Sequence, residues 1–241
     1  MTIDSVQYSL RDRVATVRID DGKRNALSPQ VLGGIYDALD RAESDRASVI
    51  LTGRESVFSA GFDLHVMKRG GTDAFRMLRA GYGLTARIMA YPYPVVAACN
   101  GHSLAMGVFT MLSADYVIGS RGDFRIAANE VAIGLTMPRI AVATLRHRLN
   151  PAAFQRAAVL SKYFDVDSAL AAGFFDELVE PADLISRANN CADEFGKLDL
   201  SAHTGTKRRA RAATIRKIRR SIPLDMLDAV LMGLRRKAGP R

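Results

Sequence analysis

Apolar and polar positions alternate from Val6 to Leu10 and again from Val14 to Ile19, on either side of Arg11-Asp12-Arg13, and this period of two predicts a β-hairpin. The period then changes. Ser28 and Pro29 have the form of a helix cap and first helical position, and Val31, Leu32, Ile35 and Leu39 fall on one stripe of the helix they open. Continuous apolar runs follow at Ser48 to Thr52 and Val95 to Cys99, which predict buried strands. Between them a helix is expected from about Asp73 to Met89, stopped by Tyr91-Pro92-Tyr93-Pro94. An apolar helix is expected from about Ser103 to Ser113, then short strands at Tyr116 to Gly119 and Asp123 to Ile126. Strands alternating with helices from residue 48 onward predict an α/β fold.

Two strand ends carry the candidate chemistry. The first apolar run leads to Phe58-Ser59-Ala60-Gly61-Phe62-Asp63-Leu64, the second to Asn100-Gly101-His102-Ser103-Leu104-Ala105-Met106-Gly107. Glycine lets the backbone approach a ligand, and a turn that opens a helix points free N–H groups at it. Two such turns on neighbouring strands can aim two donors at one carbonyl oxygen, the arrangement that stabilises an oxyanion. Further along, Glu130 stands among apolar residues, where desolvation raises a carboxyl pKa toward the range of a proton shuttle.

In this order, the two turns and the glutamate resemble the crotonase superfamily, also called the enoyl-CoA hydratase/isomerase family. The resemblance runs from about Val14 to the C-terminal helices. It includes Arg24-Asn25-Ala26-Leu27, Gly134-Leu135-Thr136-Met137-Pro138 and Ala169-Leu170-Ala171-Ala172-Gly173-Phe174-Phe175-Asp176. It implies a right-handed spiral of ββα units over residues 1–182 and a basic helical region over residues 183–241, used for oligomerisation and for contact with CoA phosphate. Trimers and hexamers are usual in such a family, so a homotrimer or hexamer is expected. The resemblance makes the backbone N–H groups of Phe62 and Met106 the oxyanion donors, although Met106 stands where the family usually has glycine. It makes Glu130 the catalytic acid/base. Backbone groups around Ala60, Asp63 and Leu64 would hold the adenine of coenzyme A, and Lys23 and Arg24 lie where its phosphates are met. Lys207 or Arg208 could reach the 3′-phosphate.

The hydratases of this family use two glutamates, and the first falls on Phe109 here. Phenylalanine neither accepts a proton nor holds a water. The hydratase pattern also places its second glutamate directly after proline, whereas this chain has the longer loop ending in Asn129-Glu130. Both departures are similar to mitochondrial-type enoyl-CoA isomerases. The expected reaction therefore moves the double bond of a 3-enoyl-CoA to the 2-position in fatty acid metabolism, with one glutamate as proton shuttle. A hydratase, and a non-catalytic acyl-CoA- or RNA-binding protein on the same scaffold, are the alternatives. Phe62, Leu64, Tyr82, Met106 and Phe109 are the expected lining of the acyl tunnel. Coenzyme A enters as part of the acyl-CoA substrate, and no prosthetic group or metal is expected.

Composition narrows the rest. The 241 residues can form one sizeable core, and 48% hydrophobic with 24% charged residues suits a soluble protein. No apolar stretch approaches the roughly 20 residues that span a bilayer, and Met1-Thr2-Ile3-Asp4-Ser5 has no basic or apolar leader. Cys99 and Cys191 fit a reducing compartment, so a cytoplasmic location is expected. The net charge of +9 is unevenly placed: residues 207–241 hold 12 Lys/Arg and 2 Asp/Glu, a net of +10, and the remainder, with 22 basic and 23 acidic residues, is close to neutral. Such a tail can attract a phosphate-rich ligand, anionic lipid or nucleic acid, and is as often a solvated helix face. His65, His102, His147 and His203 lack metal-ligand spacing, Ser59 and Ser103 lack a paired base, and no dinucleotide or Walker fingerprint occurs.

Overall fold

The computed structural model describes residues 5–237, with side chains to residue 232. Strands β1 (Val6–Arg11) and β2 (Val14–Ile19) form the expected hairpin, Val6 opposite Ile19 and Arg11 opposite Val14. After β3 (Ala26–Leu27), Ser28 caps α1 (Pro29–Ser44), its side chain accepting from the Val31 N–H at 3.2 Å. Three similar turns of chain follow. Each begins with a strand of one sheet and continues into a strand of another: β4 (Ser48–Thr52) into β5 (Ser56–Ser59), β7 (Val95–Cys99) into β8 (Gly101–Leu104), and β9 (Tyr116–Ser120) into β10 (Ile126–Ala127). In the larger sheet the order is β1-β2-β4-β7-β9-β11, with β11 at Glu177–Val179, and every pairing beyond the hairpin is parallel. The smaller sheet repeats the order as β10-β8-β5, also parallel. Strand β6 (Gly61–Phe62) pairs with β3. Two sheets stacked turn upon turn make a spiral of ββα units.

Burial explains the sequence pattern. Every residue of β4 and β7 is buried, because each strand has apolar cover on both faces. Val49, Leu51, Val95, Ala97 and Val117 join the main core, which also contains α1 and α3 (Gly71–Met89). The alternating residues Ile50, Val96, Ala98 and Ile118 face the other way, onto Leu184, Ala188, Cys191 and Ala192 of α8 (Leu184–Gly196). The corners between sheets are tied by Asn100, whose side chain accepts from the Gly53 N–H and donates to the Arg54 carbonyl.

Three expected elements differ. The helix expected from Asp73 is α3, and a short helix that was not expected, α2 (Leu64–Arg69), precedes it across Gly70, which has positive φ. The helix expected from Ser103 begins only at Met106, as α4 (Met106–Leu112), because residues 101–104 are claimed by the smaller sheet. The strand expected at 123–126 is reduced to Ile126–Ala127. Helices α5 (Arg139–Arg148), α6 (Pro151–Ala158) and α7 (Val166–Ala172) complete the third turn, and α9 (Leu200–Lys237) runs back across α3 and α5.

The basic tail is not uniformly solvated. Lys207 and Arg211 are buried against Asp115: Lys207 Nζ lies 2.6 Å from its carboxylate and 3.1 Å from the Tyr93 carbonyl, and Arg211 lies 3.1 Å from the carboxylate. Burial pushes the Lys207 ammonium down to about 8. Lys207 is therefore corrected from a CoA-phosphate contact to a clamp on α9, while Arg208 stays exposed. The basic positions 235–237 and 241 lie outside the described side chains. Asp115→Ala leaves two buried cations unpaired, and urea unfolding is expected to show a loss of about 3–5 kcal/mol.

Candidate active site

The two glycine turns meet. Gly61 has φ +88°, and a Cβ placed on it would lie 3.0 Å from Ala105 Cβ and 3.3 Å from the Met106 backbone nitrogen. Any larger residue would push the turns apart. A Cβ on Gly107 would lie 2.5 Å from the Ser59 carbonyl, so the first turn of α4 rests directly on the end of β5. Ala105, between β8 and α4, has φ 48° and ψ −124°, a backbone conformation rare for a residue with a side chain. It is held there by a 2.8 Å bond from its N–H to the Ala127 carbonyl. The result is that Met106 N–H is the first of helix α4, one of the donors that have no acceptor within a helix.

The first turn is braced from the N-terminal loop. Asn25 is fully buried with φ 51°, and its amide donates to the carbonyls of Ile19, Val57 and Phe58. Ser59 Oγ donates to the Asn25 carbonyl at 2.8 Å and accepts from the Gly61 N–H at 3.2 Å. Ser59 is thus a support for the turn. The Ala60 N–H donates to the Arg24 carbonyl at 3.0 Å, which sets Arg24 beside Ala60, and the side chains of Lys23 and Arg24 are both exposed. The Asp63 side chain caps α2 through the His65 and Val66 N–H groups.

The bond from Ala105 to Ala127 also fixes where Glu130 stands, three residues further on. Glu130 is only 6% exposed, and one of its carboxyl oxygens, Oε2, is buried without a protein hydrogen-bond partner. Burial pushes the carboxyl up to about 7. Its carbonyl accepts from the N–H groups of Ile133 and Leu135, closing a 3₁₀ turn over Val131–Ile133. Across the site Tyr82 stacks edge-on to Phe62 with ring centroids 5.7 Å apart. Its phenol is raised by burial first, then by the nearby carboxyl groups of Asp225 and Glu130.

The expected tunnel lining separates into two sets. Half-buried Phe62 lies against Tyr82, and the side chains of Tyr82, Met106 and Phe109 are all packed into the core. Leu64 faces outward at 62% exposure, so it is removed from the tunnel; its expected role beside the adenine involves the backbone. Phe109, 1% exposed, leaves no second carboxyl on this helix. His102 is structural: Nδ1 accepts from the Arg125 N–H at 2.9 Å. Among the described residues no group of His, Cys, Asp and Glu could hold a metal ion. The strain at Ala105 and the braces from Asn25 and Ser59 were not apparent from residue types. Only the segment Arg24-Asn25-Ala26-Leu27, shared in the resemblance, pointed toward them.

Comparison with known proteins shows the family and the fold. The sequence profile described as enoyl-CoA hydratase/isomerase matches residues 10–226. The chain belongs to that family. It is an enzyme of the crotonase superfamily, and its fold is the crotonase fold. An enoyl-CoA hydratase from Mycobacterium marinum is 42% identical with a TM-score of 0.88, the match covering 92% of this chain and 97% of that one. A Mycobacterium tuberculosis protein, named an enoyl-CoA isomerase in one structure and a probable enoyl-CoA hydratase in another, is 41% and 40% identical with TM-scores of 0.88 and 0.91; the matches cover 92% and 98% of this chain and 97% and 99% of the other. Human mitochondrial Δ3-Δ2-enoyl-CoA isomerase is 26% identical with a TM-score of 0.84, covering 97% of this chain and 98% of that one.

The raised Glu130 carboxyl has a stability consequence. Its folded pKa, about 7, exceeds the ordinary 4.5, so the folded state binds the extra proton between these values. The stabilisation is complete below about pH 4.5 and lost as pH rises through 7. Glu130→Gln is expected to match the parent at pH 4.5 and to exceed it at pH 8 by up to about 3 kcal/mol. Urea unfolding at the two pH values checks the sign.

Proposed function

We propose that this enzyme moves the double bond of a 3-enoyl-CoA to the 2-position in fatty acid metabolism, with Glu130 as its only acid/base. The observation that carries the reading is that Glu130 is a buried carboxyl with an oxygen free of any protein partner, while buried Phe109 fills the position from which a second glutamate would come. The Phe62 and Met106 N–H groups receive the thioester oxygen. Glu130 takes a proton from the α-carbon, and the C–H electron pair forms an enolate whose charge rests on that oxygen. Two preorganised donors in a dry site are worth about 3 kcal/mol each to such a charge. The same carboxyl then returns the proton to the γ-carbon, and the double bond comes to rest between the α- and β-carbons. Nothing is consumed, so no prosthetic group is required. Coenzyme A is held by backbone groups at Ala60, Asp63 and Leu64, with Lys23 and Arg24 meeting its phosphates as point charge and fork respectively.

The likeness to structures named isomerases supports this reading, and those named hydratases share the fold equally well. One observation favours hydration as a second reading. Asn129 Oδ1, beside Glu130, is buried without a protein partner, and an amide oxygen can accept from a water. Initial rates on matched 3-enoyl and 2-enoyl thioesters decide between the two. Isomerisation is expected to be the faster, to rise with pH to a plateau above about 7 as Glu130 ionises, and to fall by a factor of about 10²–10⁴ in Glu130→Gln. Faster hydration, or a Gln variant as active as the parent, rejects the isomerase.

The assembly we propose is a homotrimer or hexamer. Ala132 N–H donates to Ser161 Oγ at 3.2 Å, which draws exposed Val131 and Ile133 next to exposed Val159, Leu160 and Tyr163. A continuous apolar patch of that kind marks an interface. Light scattering on the eluting protein is expected to give three or six times 26.2 kDa, and Leu160→Asp to reduce it toward the monomer.

A further inference from the structure

Helix α9 reaches the far end of the loop that carries Glu130. Asp225 turns inward from α9 and is 4% exposed. One of its oxygens, Oδ1, accepts from the Arg139 N–H at 2.9 Å; the other, Oδ2, accepts from the Ile140 N–H at 3.0 Å. The Arg139 guanidinium closes over the same carboxylate at 3.1 Å and also pairs with Asp228. Helix α5 has no cap of its own, because Pro138 stands at that position and offers no side-chain acceptor. A carboxylate 86 residues away in sequence takes the place of the N-cap.

The Glu130 loop therefore has three anchors. At its start the Ala127 carbonyl receives the Ala105 N–H, in its middle Ser161 Oγ receives the Ala132 N–H, and at its end Asp225 receives the first turn of α5. Between these points Val131, Ala132, Ile133, Gly134 and Thr136 are exposed, so side-chain burial does little to hold the loop.

We propose that Asp225 is a positioning residue for the reaction, fixing the Glu130 loop from the C-terminal helix and so holding the base against the two oxyanion turns. The proposal rests on Glu130 being the base. In Asp225→Asn an amide NH2 replaces one oxygen and faces a backbone donor, so one cap bond and the ion pair are lost. With the full chain and a 3-enoyl-CoA, kcat is expected to fall at least about ten-fold while KM stays within about two-fold. Amide exchange is expected to quicken across residues 130–140 while β4 and β7 keep their protection. Asp228→Asn, which leaves both cap bonds intact, is expected to keep the parent kcat. An unchanged kcat in Asp225→Asn overturns the proposal. So does an equal fall in Asp228→Asn, or quickened exchange spread over β4 and β7, which would make Asp225 a general stability residue. Should Asp225→Asn not fold, Asp225→Glu replaces it, keeping the charge while its longer arm shifts the carboxylate off the two N–H groups: a kcat loss of about three-fold with faster exchange at 130–140 supports the anchor, and no change in either overturns it. The exchange measurement needs no turnover, so a parent enzyme inactive on 3-enoyl-CoA would refute the base while leaving the anchor separately tested.

Discussion

The contact on which the site depends is the approach of Gly61 to the Met106 nitrogen. It joins the ends of two strands in successive turns of the spiral, and it exists only because no side chain stands between them. The larger sheet sets β4 beside β7 in parallel register, Val49 opposite Val95, and Asn100 ties the corners that follow. The smaller sheet then sets β5 beside β8. Each layer brings the next within a few ångströms, so the position of two amide groups is decided by the packing of the whole core. Backbone donors fixed this way need no reorganisation when negative charge develops in front of them. This also explains how Met106 can occupy a position usually given to glycine: its side chain goes into the core and only its N–H faces the site.

A buried carboxyl next to such donors is expensive, because burial opposes its charged form. The fold carries that cost at Glu130 and offsets it elsewhere. Buried charge is compensated at Asp115, which engages Lys207, Arg211 and the Val95 N–H together, and at Asp225, which engages two N–H groups and Arg139. The contrast is informative. Half-buried Asp115 and buried Asp225 are saturated with partners, whereas Glu130 keeps an oxygen without one. A group left unsatisfied amid satisfied neighbours is where a substrate can supply the missing partner.

Much of this was legible in the chain. The period-two hairpin, the Ser28-Pro29 helix start and the unbroken apolar runs of β4 and β7 follow from local chemistry, and the structure has all four. What local chemistry missed were elements decided by distant pairing. Ser103 and Leu104 read as the start of an apolar helix, but they belong to a strand between β5 and β10, with Ser103 opposite Ser59, 44 residues upstream, and Ile126, 23 residues downstream. The strain at Ala105 has no sequence signal, since alanine is chosen neither for positive φ nor against it by any neighbour along the chain. Composition also misled at Lys207 and Arg211. A run of basic residues suggests a solvated face, and periodicity alone could not reveal that Asp115 waits beneath it.

The same distinction bears on the reaction. Fold and family are shared by relatives named for hydration and for isomerisation, so neither can choose between them. The choice rests on how many groups near the thioester can exchange protons. Adding water demands that a weak nucleophile be oriented and deprotonated while a carbon is protonated, which is more work than one carboxyl of pKa near 7 does alone. Shifting a double bond demands one proton taken and returned on the same face, and a lone carboxyl in a dry pocket is suited to it because no competing solvent can exchange that proton. On the proposed isomerase reading, a buried phenylalanine in place of a second carboxyl disfavours hydration and leaves the double-bond shift open.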